Sequence, residues 1–459
     1  MSLPESTLKA LTEIVGSDWV LTTPEDLLCY SYDGTFHEGR PDVAVLPGSV
    51  DEVSAVLRLA HREGIPVIPR GMGSGLAAAS IPFEGGIALT LTRLNRILEI
   101  DPVDMVAIVE AGVITGDLQQ AVEARGLFYP PDPSSLKHCT IGGNVACNAG
   151  GPRCLKYGVT RDYVLALQAV LADGRVVRLG ARTAKNATGY SLVHLFVGSE
   201  GTLGVVTEVT LRLLPLPRAV QTVLAEFPRL SDACEAVTAV LQAGVRPATL
   251  ELMDETAIRC VEEYLHLGLP LDVEAILLAE CDGEAAQVAE EARNVAALCR
   301  EHHASQVRTA QSPKDRDDLW RARRAISGSL SRQRPNKLGE DIVVPRHAIP
   351  AMVGRLKEIG RRHDLPIVIF GHAGDGNLHP NILFDRRNPD EWARVQEASA
   401  AIFAAAVELG GTLSGEHGVG VLKREFLPLA VDPAAIEAMR AIKRALDPSG
   451  ILNPGKIVS

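Results

Sequence analysis

Residues 371–379 read Gly-His-Ala-Gly-Asp-Gly-Asn-Leu-His, and residues 415–418 read Gly-Glu-His-Gly. Two imidazoles and a carboxylate are a common ligand set for zinc or manganese, with iron a further option. His372, His379 and Glu416 are therefore candidate metal ligands. His417, next to the carboxylate, is of a residue type suited to general base catalysis. Asn381 lies two residues past His379, so an extended segment puts both on one strand face, where the amide could bond a substrate. A lone histidine is more often an ordinary polar residue. Two around one turn, with a separate Glu-His pair, weaken that bland reading.

Something must carry these groups. His372 ends the apolar run Ile367-Val368-Ile369-Phe370, and His379 opens a second run at Ile382-Leu383-Phe384. The Gly/Asp/Asn segment between them predicts a hairpin with both histidines at one end of a sheet. Helical stretches at 231–243 and 284–302 alternate with strands such as Ala275–Glu280 and Pro366–Phe370. That mixture predicts an α+β domain with helices on one face of an antiparallel sheet. Pro215 and Pro217 mark its start, and the tail from Asp447 to Lys456 is dense in turn formers.

The first half has another texture. Residues 1–37 read as a helical lead-in. Val53-x-x-Val56-Leu57-x-Leu59-Ala60 has helical spacing and stops at Gly64. Ile65–Pro69, Ile87–Leu91, Ile97–Ile100 and Val106–Glu110 read as strands, and Leu118–Arg125 as a helix closed by Gly126. Val164–Leu171 and Arg175–Leu179, joined by Asp173-Gly174, read as a hairpin.

Three glycine-rich segments interrupt these elements. Pro69-Arg70-Gly71-Met72-Gly73-Ser74-Gly75-Leu76 follows a strand and could turn successive amides toward a pyrophosphate. Its spacing is not the Rossmann fingerprint, which needs the third glycine one residue later. Pro131-Asp132-Pro133-Ser134 leads into Thr140-Ile141-Gly142-Gly143-Asn144 and Gly150-Gly151, with few bulky side chains, as suits a backbone wrapped around a large flat cofactor. Gly198–Thr207, which includes Val205 and Val206, repeats that character.

At 459 residues two or three domains are expected, and 46% hydrophobic with 22% charged residues suits globular cores. A net charge of −11 argues against nucleic acid as the main partner. An anionic substrate would need a local positive site. Trp320-Arg321-Ala322-Arg323-Arg324, with Arg332, Arg334 and Lys337, is such a cluster, and arginine offers a bidentate clamp for a carboxylate. A solvated helix face is the bland alternative for Arg321 and Arg324. The eight cysteines show no C-x-x-C spacing and read as reduced thiols, which points to the cytoplasm. No basic stretch precedes an apolar one at the start, and no apolar run approaches ~18 residues, so neither a signal peptide nor a membrane span is expected.

The glycine-rich segments, with Gly85-Gly86-Ile87-Ala88-Leu89 and Glu110-Ala111-Gly112-Val113, resemble the FAD-binding domain of the vanillyl-alcohol oxidase superfamily. The second half resembles its FAD-linked oxidase C-terminal domain. Within that group the chain is most similar to the branch of glycolate oxidase FAD subunits, D-lactate dehydrogenases and D-2-hydroxyglutarate dehydrogenases. The resemblance spans about residues 40–457. It implies an α+β fold in which 1–37 leads into an FAD-binding domain over 38–217, a cap domain with the metal site over 218–430, and a tail over 431–459 that returns to the first domain.

It also implies roles. The pyrophosphate of FAD would lie against Arg70–Leu76. The rest of the cofactor would lie along Pro131–Ser134, Thr140–Asn144, Gly150-Gly151 and Val205-Val206, with Asn453 returning to the flavin. Flavinylated relatives carry a histidine where this chain has Ser74, so the FAD is expected to be non-covalent. His372, His379 and Glu416 would hold the metal, with His417 as base, Arg323 on the substrate carboxylate and Ser327 as a nearby hydroxyl. Relatives that oxidise a dicarboxylate keep a lysine six residues before the proline matching Pro345. Here Gly339 stands there, so a monocarboxylate such as glycolate or D-lactate is expected as substrate. The electron acceptor stays open, with an iron–sulfur subunit as one option, and a homodimer is one assembly compatible with the chain. Alkyl-dihydroxyacetone-phosphate synthase, a non-redox transferase, shares the fold, but its run of adjacent histidines is absent here.

Overall fold

A computed structural model describes residues 3–458. The chain divides into two compact units. The first comprises the segment ending at Gly150, Val159–Leu216 and the segment from Glu416 onward; the second comprises Gly151–Gly158 and Pro217–Gly415. The long segment of the second unit begins at Pro217. The return to the first unit begins at Glu416, ahead of residue 431, and residues 151–158 join the second unit.

In the first unit the helix Val50–Glu63 forms where the spacing predicts it. Ser49 caps its start by accepting the Glu52 N–H at 3.2 Å, and Gly64, at φ +66°, ends it. Its Val53, Val56, Leu57 and Ala60 stripe is buried against a sheet of β1 (Val20–Leu21), β2 (Val43–Val45), β3 (Val67–Arg70) and β4 (Ile87–Thr90). The order is β1-β2-β4-β3; β2, β4 and β3 are parallel, and β1 adds antiparallel to β2. The lead-in is thus not purely helical. Helices Glu5–Val15 and Pro24–Leu28 flank β1, and Leu11 and Val15 enter the same core as Val53 and Val56. A two-residue strand is too short to show alternation.

The second sheet of this unit is antiparallel, with β5 (Ile97–Asp101), β6 (Val106–Glu110), β7 (Val164–Val170), β8 (Val176–Gly180) and β9 (Val205–Arg212) in the order β5-β6-β9-β7-β8. The predicted β7–β8 hairpin is present. A register shift between Val206 and Glu208 interrupts the β9–β7 ladder. Such bulges commonly re-aim side chains next to a site.

The second unit is one eight-stranded antiparallel sheet. Its strands are β10 (Ala219–Phe227), β11 (Thr249–Asp254), β12 (Ala275–Gly283), β13 (Gln306–Thr309), β14 (Asn336–Gly339), β15 (Ile342–Val343), β16 (Ile367–His372) and β17 (Asn377–Phe384). The order is β13-β10-β12-β11-β16-β17-β14, with β15 also on β17. The predicted hairpin is β16–β17, pairing His372 with Asn377 and Phe370 with His379. Helices Glu255–Leu265 and Pro313–Gln333 supply Ile258, Val261, Ile326 and Leu330 to a core shared with Leu278, Met253, Val368 and Phe370. Among the described residues, no helix is long and apolar enough to cross a membrane.

Candidate active site

In the first unit, β3 ends at Arg70 and the chain enters the first glycine-rich segment. Pro69–Leu76 lines a cavity with Pro133, Ser134, Thr140, Gly142, Gly143, Asn144, Gly150, Val205, Val206, Glu416 and His417. Pro131, Asp132, Gly151 and Asn453 do not line it. The second glycine-rich segment is partly a helix, Ile141–Cys147, which Thr140 caps by accepting the Gly143 N–H at 3.1 Å. Glycine hides helical periodicity here because it supplies no apolar stripe.

The lining suits a large cofactor held by backbone. A Cβ on Gly71 would lie 2.4 Å from Thr140 Oγ1, and one on Gly142 would lie 2.6 Å from Ala111 Cβ. Only glycine allows these segments to close up this tightly. The lining, rich in glycine and short of bulky side chains, therefore fits an FAD that the backbone approaches closely. Arg70 lines the cavity and also anchors its own loop. Its guanidinium donates to the carbonyls of Tyr32 at 2.6 Å and Cys29 at 3.4 Å, so it ties the entry segment to the first loop. Burial pushes the cavity-lining Cys147 thiol up to about 12, which leaves it unreactive. All eight cysteines are free.

Glu200 was not singled out by sequence reasoning, yet it organises this wall. Its carboxylate accepts the Val419 N–H at 2.6 Å and the Gly420 N–H at 2.8 Å. The chain bends tightly there: Gly418 sits at φ +85°, and a Cβ on it would lie 2.5 Å from Glu200 Oε1. Glu200 thus clamps the loop that carries Glu416 and His417. Burial pushes its carboxyl up from an ordinary value of 4.5 to about 7, against the opposing pull of the two amides. Asn453 is a staple, donating to the carbonyls of Glu200 at 2.7 Å and Ala79 at 2.9 Å.

In the second unit, the His372 and His379 rings stand edge-to-face with centroids 5.0 Å apart. His372 Nδ1 meets Glu251 Oε1 at 2.5 Å, and Arg323 Nε donates to Glu251 Oε2 at 2.7 Å. Burial alone would raise the Glu251 carboxyl; His372 and Arg323 beside it reverse this and hold it below its ordinary value. A carboxylate partner requires the proton on Nδ1, which leaves the Nε2 lone pair outward. An imidazole held in this way, with the His379 ring beside it, fits a divalent cation.

The long helix sets Arg323. Arg316, Trp320 and Arg323 recur at helical spacing on one stripe facing the sheet. Arg316 and Trp320 both donate to the buried Glu280 on β12, and Arg323 to Glu251 on β11. Arg321 and Arg324 are exposed. Arg323 also lies over the Phe370 ring at 4.9 Å, and its two terminal N–H groups are not used by Glu251. Ser327, a turn further on, is exposed and receives Lys337 Nζ, which also donates to its carbonyl at 3.0 Å. Asn381 is buried on the same strand face as His379 and donates to the His379 carbonyl at 3.0 Å. Asp341, also missed from sequence, is buried and accepts from Asn377 Nδ2 at 2.7 Å, Ser414 Oγ at 2.7 Å and the Gly415 N–H at 2.9 Å. It fixes the chain immediately before Glu416.

Comparison with known proteins agrees with this reading. Residues 216–457 match the FAD linked oxidases C-terminal domain, and residues 41–180 match the FAD binding domain. The chain is 46% identical to the glycolate oxidase subunit GlcD of Bacillus subtilis (strain 168), covering 94% of this chain and 92% of that protein. It is 40% identical to the subunit of the same name in Escherichia coli (strain K12), covering 98% and 90%. It is 39% identical to a D-lactate dehydrogenase of Archaeoglobus fulgidus, covering 91% of each. Among solved structures, p-cresol methylhydroxylase with substrate bound superposes with a TM-score of 0.83 over 99% of this chain and 96% of that one, at 18% identity. An alkyldihydroxyacetonephosphate synthase does so with a TM-score of 0.78 over 99% and 85%, at 19% identity. These two likenesses establish the vanillyl-alcohol-oxidase-type fold alone. With both domain matches in order and relatives covering nearly its whole length, the chain belongs to the FAD-linked oxidases, as an oxidoreductase of the branch that holds glycolate oxidase subunits and D-lactate dehydrogenases.

Proposed function

We propose that this protein is an FAD-dependent 2-hydroxy-acid dehydrogenase that oxidises glycolate or D-lactate to the 2-oxo acid. One observation carries the reading: Glu416 and His417 line the same cavity as the glycine-rich segments Pro69–Leu76 and Thr140–Gly150. A proton-accepting imidazole therefore faces the space in which the backbone suits a flavin. When bound, FAD supplies the two-electron acceptor and a divalent cation, zinc or else manganese or iron, supplies Lewis acidity for the hydroxyl.

The residues have separable tasks. His372, His379 and Glu416 hold the cation. His417 takes the hydroxyl proton as hydride leaves Cα, so the alcohol carbon becomes a carbonyl. The terminal N–H groups of Arg323 hold the substrate carboxylate in a bidentate clamp. Asn381 offers its amide from the His379 strand, and Ser327 flanks the clamp. Glu200 and Asp341 hold the loop that carries Glu416 and His417. Ser74 in the cavity wall offers no imidazole for a covalent link, so the FAD is dissociable and would leave the protein on acid precipitation.

The preference for a monocarboxylate rests on β14. Gly339 pairs with Asn381, and a Cβ there would lie 2.9 Å from Asn381 Oδ1. Lys337 pairs with Leu383, four residues or ~13 Å along the strand from His379. Its ammonium is engaged by Ser327. On β14, then, the residue paired with Asn381 is glycine and the lysine lies two residues away along the strand. The name of the relatives, a glycolate oxidase subunit, further supports a partner that accepts the electrons, and an iron–sulfur subunit is the one we propose. Anaerobic addition of 2-hydroxy acids, both enantiomers of each, tests the reading. Glycolate or D-lactate should bleach the flavin band; no bleaching by any 2-hydroxy acid would overturn it, and bleaching by D-2-hydroxyglutarate alone would overturn the monocarboxylate preference.

A further inference from the structure

Glu251 is fully buried on β11, and both its oxygens are used. Oε1 meets His372 Nδ1 at 2.5 Å, and Oε2 receives Arg323 Nε at 2.7 Å. One carboxylate thus touches both the imidazole assigned to the cation and the guanidinium assigned to the substrate carboxylate. We propose that Glu251 is a positioning residue that joins these two functions, setting the tautomer of His372 and the orientation of the Arg323 clamp. The inference rests on the roles proposed above for His372 and Arg323.

The physical case has three parts. With the proton fixed on Nδ1, His372 presents a lone pair at Nε2, the form in which imidazole binds a cation. With Nε held, Arg323 cannot rotate its planar fork, so its remaining donors stay aimed as a pair. A buried carboxylate between two donors is also hard to replace. In Glu251→Gln one oxygen becomes an NH2, which faces a donor and leaves that donor unsatisfied. Either His372 takes the other tautomer or Arg323 loses its anchor.

The same sheet face provides a matched control. Glu280 on β12 is equally buried and receives Thr222, Arg316 and Trp320, but neither His372 nor Arg323. Glu251→Gln and Glu280→Gln should therefore cost similar core satisfaction and differ in function. The experiment uses the full-length FAD-loaded protein. Zinc affinity is measured by competition with a zinc-binding dye, and KM and kcat with the best 2-hydroxy acid. Glu251→Gln should bind zinc ~10–100-fold more weakly, raise KM about tenfold or more, or do both, according to which donor its NH2 faces, while Glu280→Gln keeps both near wild type. Wild-type zinc affinity and KM in Glu251→Gln would overturn the proposal, as would equal losses in Glu280→Gln. A wild-type protein that binds no zinc would instead remove the metal reading, and this inference with it; that result appears before any variant is made. Should Glu251→Gln not fold, Glu251→Asp serves: its retracted carboxylate should give intermediate zinc affinity, and an unchanged value would overturn the idea.

Discussion

Glu200 allows the most quantitative prediction. It is buried, accepts the Val419 and Gly420 amides, and its carboxyl is raised by burial from 4.5 to about 7. A group raised in the folded state binds more protons folded than unfolded between these two values. Its contribution to stability is therefore fully present below about pH 4.5 and lost as pH rises through about 7. At ~1.4 kcal/mol per unit of pKa, the rise makes the loss ~3 kcal/mol. Glu200→Gln removes that titration. Urea unfolding followed by flavin fluorescence at pH 5 and pH 8 should show wild type losing ~2.5 kcal/mol more than the variant, because part of the full loss has already occurred by pH 5. The variant also places an NH2 against a backbone N–H, so the 418–420 loop loosens and flavin reduction slows at every pH. Equal pH sensitivity in the two proteins would refute the burial argument. Unchanged reduction rates would refute the clamp.

The remaining predictions concern the cofactor and the chemistry. Gly71→Ala should lower FAD occupancy of the purified protein, because its Cβ would meet Thr140 Oγ1 at 2.4 Å and displace a helix cap worth ~1 kcal/mol; full occupancy would argue against a close-fitting cradle. His417→Ala should abolish anaerobic flavin reduction while leaving FAD bound, and normal reduction would end its role as base. Arg323→Ala should act mainly on KM, by about tenfold or more for a lost charge-assisted bond; an unchanged KM would sink the clamp. Prolonged chelation should remove activity that zinc or manganese restores, and a metal-free protein of full activity would leave His372, His379 and Glu416 without their assigned task.

The parts of the fold legible in the sequence were those with local periodicity or turn chemistry. The β16–β17 hairpin shows as two apolar runs around Gly-Asp-Gly-Asn, and Val50–Glu63 as an apolar stripe between Ser49 and Gly64. The β1–β2 pairing does not show, because it is two residues long and pairs across a distance in sequence. The helix Ile141–Cys147 was hidden by its own glycines. The arginine cluster was legible as charge, but which arginine turns inward follows only from the phase of the helix: Arg316 and Arg323 face buried glutamates, while Arg321 and Arg324 face solvent.

The site divides in the same way. Chemistry-bearing residues in glycine-bounded segments were visible; the carboxylates that orient them were not. Glu251 stands in Thr-Leu-Glu-Leu-Met, Asp341 in Glu-Asp-Ile-Val-Val and Glu280 in Leu-Leu-Ala-Glu-Cys. Each is an acid within or beside an apolar strand, and that is the signal that could have found them. A charge there is costly to bury unless it is paired, so such a residue implies a cationic or N–H partner elsewhere in the chain. Sequence order gives no hint which partner, because the pairings to Arg323, His372, Gly415 and Arg316 depend on how strands and helices come together. The same argument separates the two arginine–glutamate pairs. Arg316–Glu280 closes on itself with Trp320 and Thr222, whereas Arg323–Glu251 opens onto His372. The second pair is therefore the one expected to carry function, and zinc affinity and KM in the two glutamine variants are where the difference should appear.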